Sequence, residues 1–359
     1  MAKVAIIQPI IPEYRVPLFN SLSNYHDLEV FHSGERKPKT SDRFVSKKIP
    51  RLKIGPFFFQ TDQFSIKTKD IDVVIAEANL RYLFRNLSIL NPLRRHPWIA
   101  WGIGVSASYS KAYDSGGWLD LLRFSIFRSA DALIFYSRYP VEKYKKAGFG
   151  QQKLFVANNT VQVLDQGPEP LSKNYFLFIG SLYREKGFMY LLKQYKEASL
   201  VGSVLPLVVV GDGDELEDAR AFVQSNNLFD LVEFKGRVED PESLKKICSN
   251  ALLSISPFQA GLSVLLCMGY GTPFATYRNA ITGGEIFNIE NGVNGVLLNV
   301  NQNLVNLLLD ATENRGKYIS MGINARDYYL RNASLENMVM NFCLAIDYAI
   351  GKRSSERCN

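Results

Sequence analysis

Short runs of consecutive apolar residues recur along this chain, separated by stretches whose apolar positions fall three or four apart. In the first half the runs Val4–Gln8, Leu28–His32, Asp72–Ala76, Trp98–Gly102, Ala132–Tyr136 and Leu154–Ala157 predict strands. They are continuous rather than alternating, as expected of parallel strands covered on both faces. Helical spacing fits Val16–Asn24, Leu80–Leu90, Leu119–Ser129 and Pro140–Ala147 between them. The second half repeats the scheme, with strands at Tyr175–Ile179, Leu207–Val210, Val232–Lys235, Ala251–Ile255, Pro273–Thr276 and Val296–Leu298. Its helices are expected at Gly187–Ala198, Asp214–Asn226, Pro241–Ser249, Val264–Tyr270, Leu304–Asn314 and Ile319–Asn332. A last helix, Leu335–Ile350, carries Met338, Phe342, Leu344 and Ile346, and the polar tail Gly351–Asn359 is expected to fray. Residues 162–173 hold two prolines and a glycine without periodicity and read as a linker. The expected organisation is α/β: a doubly wound, Rossmann-like domain over residues 1–161 and a second over 174–334. Residues 335–359 form a terminal helix and tail, with the helix expected to pack back on the first domain. Both sheets should aim their loops into a cleft between the domains.

Composition adds limits. The chain has 359 residues, 47% hydrophobic and 21% charged, and contains no run of eighteen apolar residues. A membrane-spanning helix is therefore not expected. The N-terminus has no small-residue cleavage site and meets Pro9 and Pro12 early, so a signal peptide is not expected either. The cysteines Cys248, Cys267, Cys343 and Cys358 follow no metal-ligand spacing, and a reducing, cytoplasmic setting is the simplest reading. His26, His32 and His96 are scattered and read as surface or strand-end residues. The net charge of +7 is uneven: residues 1–160 carry +11 and residues 161–359 carry −4. That asymmetry points the first half towards something anionic. Eight basic residues lie between Glu35 and Lys53, followed by Phe57, Phe58 and Phe59. An anionic membrane surface, single-stranded nucleic acid, or a solvated loop with a buried aromatic end all suit this composition.

The stretch from Ser254 to Pro273 reads as a buried strand, a loop with Gly261, and a short apolar helix for which Ser263 is the expected N-cap. Such a junction offers backbone amides to an anion at the carboxyl edge of a sheet. Residues 176–187 end a strand at Gly180 and continue through Ser181, Arg184 and Lys186 to Gly187. A cation beside a helix N-terminus suits a diphosphate, although a solvated turn fits the same residues. The sequence Val-Val-Gly-Asp-Gly-Asp around Gly211 lacks the third glycine of a dinucleotide fingerprint and sits on a second strand, which argues against a nicotinamide oxidoreductase. Asp212 and Asp214 have no further oxygen ligands nearby in sequence and read as a tight turn and helix cap. Gly236, Arg237 and Val238 follow another strand and bring backbone groups to the same edge. In the first domain Tyr14, Arg15, Glu77, Arg81, Gly102 and Gly104 all follow strand ends.

Taken in order, Phe-Ile-Gly-x5-Lys-Gly, Val-Val-Gly-Asp-Gly, Val-x-Phe-x-Gly, Ser-Pro-x3-Gly-Leu-x8-Gly-Thr-Pro and Gly-Glu-Ile-x5-Gly-x-Asn-Gly span Phe176 to Leu298. This series resembles the second domain of GT-B glycosyltransferases, most closely the retaining family four (group 1) that builds bacterial polysaccharides. The first half adds Ser129-Ala-Asp-Ala-Leu-Ile and Lys153-Leu-Phe-Val-Ala-Asn-Asn159, similar to closing segments of that family's acceptor domain. The resemblance implies a nucleotide-diphosphate sugar as co-substrate, no cofactor and no metal. Lys186 would then hold the donor diphosphate with Arg184. Gly180, Ser181, Gly261, Leu262, Ser263 and Glu285 would line the donor site, and Gly236, Arg237 and Val238 would lie beside the base. Tyr14, Arg15, Glu77, Arg81, Gly102 and Gly104 would contact a saccharide or lipid-diphosphate-saccharide acceptor. The chain departs from the family at Ser181, where an arginine is usual, and Arg184 is the expected substitute. It also departs at Phe258 and Leu266, which replace a pair of glutamates.

The resulting expectation is a cytoplasmic, peripherally membrane-associated glycosyltransferase acting in surface polysaccharide synthesis. In this family the leaving diphosphate itself can take the acceptor's proton, so positioning and charge stabilisation carry catalysis. The loss of the glutamate pair motivates a rival, a nucleotide-sugar-binding pseudoenzyme. A nucleic-acid-binding module is the remaining alternative, marked by salt-dependent binding.

Overall fold

In the computed structural model, residues 1–60, 70–91, 93–107, 113–165 and 172–358 are described. The chain divides into two compact units. One comprises Met1–Ser106, Asp114–Asn159 and Leu335–Asn359; the other comprises Ala107–Tyr113 and Thr160–Ser334. Part of the expected linker, residues 166–171, lies outside the described residues.

The first unit is built on strands β1 (Lys3–Ile7), β2 (Asp27–His32), β3 (Val45–Lys48), β6 (Val73–Glu77), β7 (Trp98–Gly102), β8 (Ala132–Phe135) and β9 (Leu154–Val156). They form one sheet in the order β3-β2-β1-β6-β7-β8-β9, parallel throughout. Strands β4 (Arg51–Ile54) and β5 (Phe57–Gln60) make a separate antiparallel hairpin. Helices α1 (Val16–Leu22), α2 (Leu83–Leu87), α3 (Trp118–Phe127) and α4 (Tyr139–Lys146) connect the strands. Successive strand residues feed opposite cores: Val4, Ile6 and Trp101 point to one face, Ala5, Ile7 and Ala100 to the other. This is why the strands read as unbroken apolar runs.

The second unit repeats the plan with β10 (Tyr175–Ile179), β11 (Leu207–Val210), β12 (Val232–Gly236), β13 (Ala251–Ile255), β15 (Phe274–Tyr277) and β17 (Gly295–Leu298). Their order is β12-β11-β10-β13-β15-β17, again all parallel, and β14 (Gln259–Ala260) pairs separately with β16 (Ile281–Thr282). The helices are α5 (Phe188–Val201), α6 (Leu216–Ser225), α7 (Pro241–Asn250), α8 (Ser263–Gly269), α9 (Leu304–Glu313) and α10 (Arg315–Tyr328).

The chain's last helix, α11 (Leu335–Cys358), belongs to the first unit. Leu335, Met338, Val339, Phe342, Ala345, Ile346 and Ala349 form its buried stripe against Val4, Ile6 and Trp101, and the rings of Phe342 and Trp101 meet edge-on at 4.9 Å. Leu344, expected on the apolar stripe, is exposed instead. The tail expected to fray continues the helix as far as Cys358.

Two further expectations are corrected and a third is sharpened. The basic segment before Phe57 is not a solvated loop but supplies an outer strand of the sheet and one arm of the hairpin. Four of its eight basic residues are matched: Arg36 pairs with Asp42, Lys39 with Glu13, Lys47 with Glu29 and Lys48 with Glu35. His26 and His32 flank and end β2, as strand-end residues, and both are buried; His32 Nε2 lies 2.9 Å from the Ser46 hydroxyl. The cap of α6 is Glu215 rather than Asp212 or Asp214, and Asp212 accepts instead from the amide of Gly213.

Candidate functional site

In the second unit, Gly180 closes β10 and the chain turns through a single 3-10 turn, Arg184–Lys186, into α5. Two glycines make this turn possible. Gly180 has φ +144°, and a β-carbon there would stand 3.0 Å from Nζ of Lys186. Gly187 has φ +74°, and a β-carbon there would overlap the ring of Phe258. Lys186 thus folds back over the strand end, only 8% exposed. Among the described residues its ammonium has no ion pair. Burial pushes its pKa below the usual lysine value, and the negative charge of Glu285 works against that shift. Glu285 is itself buried; its Oε2 accepts from the amide of Gly283 at 2.9 Å and from the Thr282 hydroxyl at 3.3 Å.

Gly261, Leu262 and Ser263 stand at the start of α8, where the first amides have no acceptor within the helix. Ser263 is not the cap, as expected from sequence, but the first helical residue; Leu262 holds the cap position without a side-chain bond. The Ser263 hydroxyl is buried with no partner among the described residues. Ser181 and Arg184 face solvent. Arg184 acts electrostatically on Glu215 and holds down a carboxyl whose pKa burial and Asp218 push up. Gly236 ends β12 at φ +65°. The Arg237 side chain is exposed and paired with Glu239 at 2.5 Å, while Val238 packs into the core beside α7. A groove of about 1150 Å³ runs along β12 and α7 from the strand starts at Pro206 and Leu231. None of Lys186, Glu285 or Gly261–Ser263 lines it, so this groove is not where the cation sits.

Phe258, at the position of a lost glutamate, forms an aromatic cluster with Tyr190 (5.0 Å) and Tyr277 (6.0 Å). Its amide approaches the Lys186 carbonyl at 3.4 Å. The ring therefore braces the lysine turn.

In the first unit the carboxyl ends of four neighbouring strands gather Gln8 (after β1), Glu77 (β6), Trp101 and Gly102 (β7), and Tyr136 (after β8). Arg15, 8% exposed, enters from the turn before α1. Its Nη1 donates to Gln8 Oε1 at 2.9 Å, its Nη2 to the Tyr136 hydroxyl at 2.5 Å, and its Cζ lies 4.4 Å from the centroid of Trp101. Burial alone lowers its pKa, but Tyr136, Tyr14 and Glu77 outweigh burial and the net shift is upward. The Tyr14 ring centroid lies 5.6 Å from the same Cζ. Gly102 is buried against Ala78, and Gly104, at φ +80°, packs against Phe135 and Pro140. Arg81 is exposed and turned towards the hairpin, where its Nε donates to the Pro56 carbonyl at 3.2 Å and its guanidinium lies over Phe58.

Sequence reasoning missed four members of this edge: Gln8, Gln60, Arg85 and Tyr136. Gln8 and Tyr136 carry a signal, being the first polar-headed residues after apolar strands. Arg85 carries none. It is 2% exposed, donates from Nη1 to Gln60 Oε1 at 3.1 Å and from Nη2 to the Glu77 carbonyl at 2.7 Å, and burial lowers its pKa to about 10.

Residues 163–328 match the family model described as glycosyl transferases, group 1. No curated protein sequence matches the chain. Among solved structures, HepE of Anabaena in complex with UDP is 16% identical with a TM-score of 0.72, over 96% of this chain and 98% of that one. A glycosyltransferase from Rickettsia africae is 13% identical with a TM-score of 0.70, over 97% and 98%. The lipopolysaccharide outer core galactosyltransferase WaaB, in its apo form, is 16% identical with a TM-score of 0.62, over 96% and 99%. At these identities the likeness establishes the fold, and it runs through both units rather than the matched segment alone. The group 1 model lies on the second unit, and with a parallel α/β sheet in each unit the chain has the GT-B fold, its second unit being similar to the group 1 glycosyl transferases.

Proposed function

We propose that the second unit binds a nucleoside-diphosphate sugar and that the first binds a saccharide acceptor, to which the sugar passes with retention of configuration. The observation carrying this reading is Lys186: a buried ammonium held over a strand end, with no ion pair among the described residues and Glu285 in electrostatic range. A buried cation of this kind gains most from a ligand that brings negative charge. In the reaction the bond from the anomeric carbon to the leaving phosphate oxygen breaks, and the acceptor oxygen bonds to the same face. The acceptor's proton goes to the departing diphosphate. Lys186 and the amides of Leu262 and Ser263 stabilise the charge that develops there. Gly236–Val238 lie beside the base. No step requires a metal ion.

HepE of Anabaena has been solved with UDP-glucose, which makes uridine diphosphate the first nucleotide to try. The test is a thermal titration of the chain and its Lys186→Ala variant with UDP, GDP, CMP and NAD. One nucleoside diphosphate at a hundred times its Kd should stabilise the chain by about 2.7 kcal/mol. The effect should shrink in the variant. A response to NAD alone would overturn the reading.

The acceptor is taken to be lipid-linked, in surface polysaccharide synthesis, with the chain resting on the inner face of the cytoplasmic membrane. Among the described residues no helix is long and apolar enough to cross a membrane. The support for a peripheral contact lies in the first unit. One face of the hairpin carries Leu52, Ile54 and Phe57, all exposed, with Arg51 and Lys53 beside them. Next to it α2 and the turn Ser88–Leu90 lie against α3, where Leu93, Trp118 and Leu121 are 85%, 71% and 70% exposed. An apolar surface edged with basic residues fits an anionic bilayer. Leu121→Asp and Trp118→Asp should reduce sedimentation with vesicles containing anionic lipid; unchanged sedimentation would remove the membrane from the proposal.

A further inference from the structure

The carboxyl edge of the first sheet holds more buried positive charge than its partners balance. The guanidinium groups of Arg15 and Arg85 are joined through two glutamines: Arg15 donates to Gln8 Oε1, Gln60 Nε2 donates to the Gln8 carbonyl at 3.2 Å, and Arg85 donates to Gln60 Oε1. Their other partners, the Tyr136 hydroxyl and the Glu77 backbone carbonyl, are also neutral. Among the described residues neither arginine forms an ion pair. The Glu77 carboxylate acts on both, but from beyond ion-pair distance. Two buried cations therefore share the influence of a single carboxylate that touches neither. Removing a cation from water is costly unless a negative charge meets it.

The hydrogen bonds also decide what these groups have left to offer. Each arginine takes the oxygen of a glutamine amide, which leaves the Nε2 ends as donors. Among the described residues, Gln8 Nε2, the Nε atoms of Arg15 and Arg85, and Nε1 of Trp101 are buried without a partner. These are all N–H donors. Water would satisfy some of them but would not answer the charge.

We propose that Arg15 and Arg85, oriented by Gln8 and Gln60, form an oxyanion site, and that the acceptor carries a phosphate or carboxylate group bound there. This rests on the reading of the first unit as the acceptor-binding one. Planar guanidinium forks suit both anions. The anion is either the diphosphate of a lipid-linked saccharide or the carboxylate of an acidic sugar. Glu77, which is half-buried and offers only acceptor oxygens, is then suited to a sugar hydroxyl beside the anion.

The test uses the full chain with Lys186→Ala as parent, so that the diphosphate ligand of the second unit is removed. Thermal unfolding is followed with inorganic pyrophosphate in one arm and glucuronate in the other, in the parent and with Arg15→Gln or Arg85→Gln added. UDP on the unaltered chain reports the donor site separately. At about ten times its Kd the bound anion should raise the parent's Tm by roughly 3–6 °C. Either arginine substitution should weaken binding at least about tenfold. A pyrophosphate response lost in the arginine variants supports the site and assigns a diphosphate; the same for glucuronate supports it and assigns a carboxylate. If the glutamine variants fail to fold, Arg15→Lys keeps the charge without the fork and should still bind, about tenfold more weakly. The site is overturned if neither anion moves the parent, or if the arginine variants respond as the parent does. A UDP response in that case leaves the donor reading standing, whereas silence with UDP as well removes both.

Discussion

The two sheets end in different kinds of positive charge. At the second, one lysine is folded over its strand by two glycines, with no ion pair among the described residues and Glu285 in range. At the first, two arginines are fixed by glutamine, tyrosine and backbone oxygens drawn from positions as far apart as Gln8 and Tyr136. The lysine site is local: the strand end, the turn and the helix start lie within twelve consecutive residues, 176–187. The arginine site is assembled from five strands, and its supporting Trp101 rests on a helix from the far end of the chain. A short, flexible cation held by a turn suits a group that must be neutralised as it leaves. A fixed pair of forks suits a group that must only be held.

This contrast is broken most strongly at Phe342. Phe342→Ala removes the ring against Trp101 and should destabilise the first unit by about 3–5 kcal/mol. Denaturant unfolding would measure this, and nucleotide binding by the second unit should survive at concentrations where the first has melted. If both were lost together, the two edges would not be independent. Lys186→Ala comes next: kcat should fall about 10²–10³-fold, equivalent to about 3–4 kcal/mol, with the folded state intact. A fall in saturation alone, seen as a raised KM with unchanged kcat, would mean that the lysine binds the donor without stabilising departure. Gly187→Ala should follow, at about 1–3 kcal/mol of stability, because a β-carbon meets Phe258 in a left-handed backbone.

The smallest effect is a pH dependence that separates the lysine from the arginines. The pKa of Lys186 is lowered in the folded chain, chiefly by burial. Its charge therefore costs stability fully at pH below the folded value, and the cost fades as pH rises from there towards the ordinary value of 10.5. Lys186→Met should consequently be more stable than the parent near neutral pH, by a margin that narrows on going alkaline. Melting curves from pH 7 to pH 10 would show it, and a margin constant with pH would mean that the gain comes from packing alone.

How much of this was legible depends on sequence separation. Strands such as Val4–Ile7 and Leu207–Val210 announce themselves because parallel strands buried on both faces need unbroken apolar runs. Lys186 and Gly187 were legible because their geometry is set by near neighbours. The hairpin of β4 and β5 was not, since its charged residues mask a strand whose apolar side faces outward. The basic run suggested free charge, but the carboxylates that match it include Glu13 and Glu29, which are distant in sequence. Arg85 sits in a short helix with no periodic signal, and only the fold brings it to Gln60 and Glu77.

By itself, the sequence determined two parallel α/β sheets and the glycine-bounded lysine turn, because apolar periodicity and backbone sterics act over a few residues. Tertiary structure alone decided that Phe258 braces the lysine turn and that Arg15 and Arg85 share one buried network. Those outcomes depend on which side chains are excluded from water together, and that is settled only when segments far apart in the chain meet.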